Sequence, residues 1–142
     1  MKYNKETKQL TDVCLTDINS IPAKANNSSD LIKDIKNQLD NLVKKGHNLG
    51  ILGFNDSPNL PLDRVAFTYN NIRINEEDEL IYADLTLLDT PQGKNLRSVV
   101  SDEFVLDTCR CVLTGVGRVE QGNIFEYQLS SVDFILDNNF SF

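Results

Sequence analysis

Apolar and polar positions divide the chain into a few clear elements. From about Ser29 to Lys45, Leu31, Ile35, Leu39 and Leu42, with Ile32 and Val43 beside them, recur at helical spacing and form one apolar stripe. Ser28 or Ser29 can cap this helix, Asp30 suits its positive end, and Lys44-Lys45-Gly46 fits its close. Leu49 to Phe54 is a short apolar run, followed by the turn chemistry of Asn55-Asp56-Ser57-Pro58-Asn59. Arg64 to Ile74 alternates through Val65, Phe67 and Tyr69, breaks at Asn70-Asn71, and resumes. Leu80 to Leu87 reads as the next strand. Thr90 caps a short helix with Pro91 in its first position and Leu96, Val99 and Val100 facing inward. Val105 to Thr114 and Arg118 to Glu120 read as strands, Gln121-Gly122-Asn123 as a hairpin-type turn, and Phe125 to Leu136 as a last long strand.

The elements sum to an α+β fold, a mostly antiparallel sheet or small barrel with two helices packed on it. Residues 1–29 are polar and rich in Asn and Ser. They read as an N-terminal arm, or as a short strand from Val13 to Ile18 before a loop, ahead of a single domain at 30–142. Phe140 and Phe142 put two aromatics at the end of the sequence, positioned to pack within the domain or to contact a partner.

Charge narrows the function. The formal net charge is -7, which disfavours nucleic acid, because phosphate binding needs clustered Lys and Arg. No run approaches the roughly 20 apolar residues of a membrane span, and nothing apolar follows Met1-Lys2-Tyr3-Asn4-Lys5-Glu6 as it would in a signal peptide. Cys14, Cys109 and Cys111 lack a framework spacing and read as reduced thiols. With His47 the single histidine, Cys109 and Cys111 do not make a metal site. No cofactor or metal is expected.

One stretch is more specific. Asn48-Leu49-Gly50-Ile51-Leu52-Gly53-Phe54-Asn55-Asp56-Ser57-Pro58, then Leu62-Asp63-Arg64-Val65-Ala66-Phe67, resembles the first active-site region of the tailed-bacteriophage prohead (capsid maturation) proteases. Leu80 to Lys94, which carries Leu87-Leu88-Asp89-Thr90-Pro91-Gln92-Gly93-Lys94, is similar to that family's strand and following helix. Gly115-Val116-Gly117 and Tyr127 to Phe134 resemble its closing strands. The order of the pieces covers roughly residues 20–138 and implies the prohead protease fold.

The departures from the family pattern carry the functional argument. Phe54 stands where the resemblance places a general-base histidine, Phe67 follows Ala66 where a further histidine often lies, and Val112 and Thr114 stand at the positions of the serine and arginine of the nucleophile motif. Ser–His catalysis needs an imidazole within hydrogen-bond reach of a hydroxyl. Phe54 cannot accept a proton and Val112 has no oxygen. Cys111, one residue away, faces the other side of a strand. Thr114 shares the face of Val112 but has no base, and His47 reads as a solvated surface imidazole. A site so changed is expected to be filled by packing of Phe54, Phe67 and Val112.

Other candidates have plainer explanations. Asp56 and Asp63 could pair over a metal, but Asp56 fits a Ser-Pro turn and Asp63 fits an ion pair with Arg64. Glu76-Glu77-Asp78-Glu79 is a solvated turn. Gly115-Val116-Gly117 is too short for a phosphate loop and reads as a bulge. The resemblance, together with the missing residues, implies a non-catalytic auxiliary or decoration protein of a phage virion. It is expected to assemble in the host cytoplasm and bind the major capsid protein and other virion subunits, with homo-oligomerisation left open. The alternatives are an active maturation protease with a relocated nucleophile, and a scaffold factor that leaves before the capsid matures.

Overall fold

The computed structural model describes residues 1–18 and 20–136. Phe140 and Phe142, singled out above as partner contacts, lie outside the described residues. Seven strands form one open, mixed sheet: β1 (Lys2–Asn4), β2 (Gln9–Cys14), β3 (Leu49–Leu52), β4 (Val65–Ile74), β5 (Ile81–Leu87), β6 (Cys109–Glu120) and β7 (Asn123–Leu136). Their order is β1-β2-β5-β4-β3-β7-β6, and every pairing is antiparallel except β3 with β7. Of the two architectures expected, the open sheet is the one present; it does not close into a barrel.

Among the described residues four α-helices accompany the sheet rather than two. The long ones are α2 (Ser28–Lys44) and α3 (Pro91–Val100); α1 (Ile21–Lys24) and α4 (Glu103–Leu106) are single turns. In α2 the expected stripe is the buried face, with Leu31, Ile32, Ile35 and Leu39 in the core. Its N-cap is Asn27, one residue before the expected serines, and the Asn27 side chain bonds β7 instead of the helix. In α3 Thr90 caps as expected, its Oγ1 accepting from Gly93 N–H at 3.0 Å. The segment from Val105, expected to be strand, starts as α4, because Asp102 caps a helical turn through Phe104 N–H.

Residues 1–29 are not an arm. Leu10, Val13 and Leu15 are fully buried, and β1 and β2 extend the sheet beyond β5. The polar residues between them mask this in the sequence, since one face of β2 is solvated. At Asp12 the register slips and φ is positive, which lets Leu10 and Val13 both reach the core. Asn70-Asn71, where the alternation of β4 breaks, is likewise a bulge with Asn71 at φ 54°. Gln121 and Gly122, both at positive φ, make the two-residue turn joining β6 to β7. No helix among the described residues is long and apolar enough to cross a membrane.

Candidate functional site

The resemblance-derived positions divide between two environments. Phe54, Val112 and Thr114 line one cleft of about 230 Å³, between Leu15 and Thr16 after β2, α1, and the Arg110–Thr114 stretch of β6. Phe67 is elsewhere, fully buried in β4. Its ring meets Phe134 edge-on at 6.4 Å and lies across Gly50, where an added Cβ would fall 2.0 Å from a ring carbon. The cleft is therefore not filled as expected. Phe54 is 54% exposed and Val112 only half-buried, because the chain after β3 turns outward at Gly53 and carries the Phe54 ring to the rim.

Beneath the cleft is a polar cluster that sequence reasoning missed. Asp133 on β7 is fully buried. Its Oδ2 accepts from Thr114 Oγ1 at 2.6 Å and from the Asn55 backbone N–H at 2.9 Å, while Oδ1 accepts from Ser131 Oγ at 2.6 Å. The Asn55 amide donates to Ser131 Oγ at 3.0 Å and to the Asn59 carbonyl at 3.1 Å. Strand register explains the convergence: Val112 lies opposite Asp133, Thr114 opposite Ser131, and β3 delivers Asn55 alongside β7. The available signal was Ser131-Val132-Asp133, two polar residues on the same face of β7 as the apolar Ile135.

This cluster gives Thr114 a hydrogen-bond acceptor, which the sequence had not. A carboxylate is nonetheless a weak base for an alcohol, and Asp133 already serves three donors. His47 is exposed and lines a different cleft, with Leu49, Leu62, Ser130 and Ser131 among its walls. Among the described residues its imidazole makes no side-chain hydrogen bond. All three thiols are raised above their ordinary value. Burial drives Cys111 well above its ordinary value, with nearby Asp133 adding to the effect, burial lifts Cys109 to about 11, and Cys14 is raised chiefly by burial.

The loop before β4 is organised differently from expectation. Asn55 rather than Asp56 holds the Ser-Pro turn, its Oδ1 accepting from Ser57 N–H at 2.9 Å. Arg64 does not pair with Asp63. Its guanidinium donates to the carbonyls of Leu52 and Phe54, fixing the outward path of that segment. Asp56 and Asp63 are both exposed, and no metal-binding group of His, Cys, Asp or Glu occurs among the described residues. At the cleft mouth Arg110 pairs with Asp17 at 3.3 Å. The Glu76–Glu79 run is exposed, with the turn held by Asn75 Oδ1.

No family model matches this sequence, and no curated protein does. The fold, an open mixed sheet with α2 and α3 packed on it, is similar to that of a viral capsid assembly protease. The solved structure in question is the bacteriophage T4 capsid assembly protease, gp21. It superposes with a TM-score of 0.66 at 14% identity, over 90% of this chain and 80% of that one. At this identity the likeness is one of fold.

Proposed function

We propose that this chain is a non-catalytic capsid-associated protein, an auxiliary virion component that binds the major capsid protein through a protease-like fold. The observation that carries the proposal is the cleft itself. Phe54 and Val112 stand where the resemblance implies base and nucleophile, and the hydroxyl nearby, Thr114, is committed to buried Asp133. The likeness in fold to gp21, a capsid assembly protease by name, supports a capsid setting. A fold that serves in shell assembly can lose hydrolysis and keep a docking role.

The test is incubation of the purified chain with the capsid precursor of the virus that encodes it. The expected result is an intact precursor by mass spectrometry. Cleavage that disappears in His47→Ala or Ser131→Ala would overturn the proposal in favour of a relocated site, since those two residues border one cleft. Cleavage lost in Cys111→Ala would do so through the thiol.

A further inference from the structure

We infer that the outer edge of β6 pairs with the same edge of a second copy of this chain, in an antiparallel, two-fold contact centred on Val119. β6 ends the strand order, and from Val116 to Glu120 every residue is exposed. Val116 and Val119 are 61% and 67% exposed, an unusual place for two β-branched residues on an open edge.

The backbone groups of Val119 point outward. Glu120 pairs with Asn123 across the two-residue turn, so Val119 and Ile124 form the next pair. Both backbone groups of Ile124 bond Asn27 on the far side: its N–H donates to Asn27 Oδ1 at 2.9 Å and its carbonyl accepts from Asn27 Nδ2 at 2.7 Å. Val119–Ile124 is therefore a pair without mutual hydrogen bonds, and in an antiparallel ladder the N–H and C=O of such a residue face its other neighbour. For Val119 that side is the open edge. The turn is tied down as well, with the Gln121 and Gly122 carbonyls accepting from Asn26. The hairpin is thus held on the β7 side and, among the described residues, left open on the β6 side.

The occupant follows from the residues flanking Val119. Two antiparallel copies centred on Val119 exchange two backbone hydrogen bonds between the Val119 residues. They also place Arg118 of each copy opposite Glu120 of the other. Arg-Val-Glu is self-complementary in this register and in no parallel one. Within one copy Arg118 already bonds Glu120, reaches Glu126 at 3.7 Å and lies over the Phe125 ring, so the charges are arrayed on the strand before a partner arrives. The contact is short, hence weak between two free molecules, and gains strength where many copies are held in one array.

Sedimentation velocity on the full chain from micromolar to about 1 mM tests the contact, that being the range of a weak pairing. The wild type is expected to show concentration-dependent dimers. Arg118→Glu and Glu120→Arg are each expected to weaken self-association about tenfold or more, since each turns two attractive cross-strand pairs repulsive. The double reversal R118E/E120R is expected to restore it, and an equimolar mixture of the two single variants to associate with each other. Val119→Pro removes the outward N–H without touching a β6–β7 bond and is expected to abolish pairing. Unchanged thermal melts by circular dichroism establish that each variant is folded. A wild type that stays monomeric throughout, or single reversals that associate as well as the wild type, overturns the inference and leaves the edge to a strand of another protein.

Discussion

Asp133 is the residue on which the polar cluster beneath the cleft depends. Its carboxylate is sealed from solvent and is held by two hydroxyls and one backbone N–H. Burying a charge is costly unless hydrogen bonds satisfy it, and three do so here. Asp133→Ala leaves those three donors unpaired and is expected to destabilise by about 2–4 kcal/mol. Asp133→Asn keeps an acceptor for Thr114 and Asn55 while Ser131 reorients, so about half that loss is expected. Chemical denaturation of both variants checks the order, and equal losses would contradict the hydrogen-bond account. The two phenylalanines separate in the same way. Phe67→Ala, in the core, should cost roughly 3–5 kcal/mol, whereas Phe54→Ala, at the rim, should cost under about 1 kcal/mol. At this scale the resemblance to the prohead proteases implied Phe54, Val112 and Thr114 as parts of one site, and all three line one cleft. Ser131-Val132-Asp133 alone does not reveal the cluster, because Asn55 and Thr114 reach Asp133 from other segments.

At the scale of elements, helices and alternating strands were legible where one face is apolar. The stripe of α2, the Thr90–Pro91 start of α3 and the turn at Gln121-Gly122 depend only on local spacing and capping. β2 is not legible in local spacing, because its burial depends on a bulge at Asp12 and on pairing with β5, from Gln9 with Thr86 to Cys14 with Tyr82. The same junction carries a pH dependence. Burial alone would raise Asp84, but the Asn71 amide, the Asp12 N–H and Arg73 outweigh it and lower the carboxyl below its ordinary value of 3.8. A lowered folded value means stability that is present above the unfolded value and is lost as pH falls through the folded one. Between pH 5 and pH 2, wild type should therefore lose more stability than Asp84→Asn. Parallel losses in thermal melts across that range would show that Asp84 contributes nothing to acid sensitivity.

The whole molecule presents an acidic surface, an open sheet, and a cleft whose wall is apolar over a satisfied polar cluster. The α+β class and antiparallel bias followed from patterning, since alternating strands joined by short turns leave few other solutions. Closure of the sheet could not be read, because it depends on whether the two edge strands, β1 and β6, pair across the ends of the order, and among the described residues they do not. Val116, Val119 and Phe54 are large apolar side chains exposed outside the core. The most direct measurement of the central claim is co-sedimentation of the full chain with capsid shells of its virus assembled without it, with the shell protein weighed by mass spectrometry afterwards. The account predicts that the chain pellets with the shells and leaves their subunits at full length. A chain that stays in the supernatant, or one that pellets and trims the subunits, would contradict it.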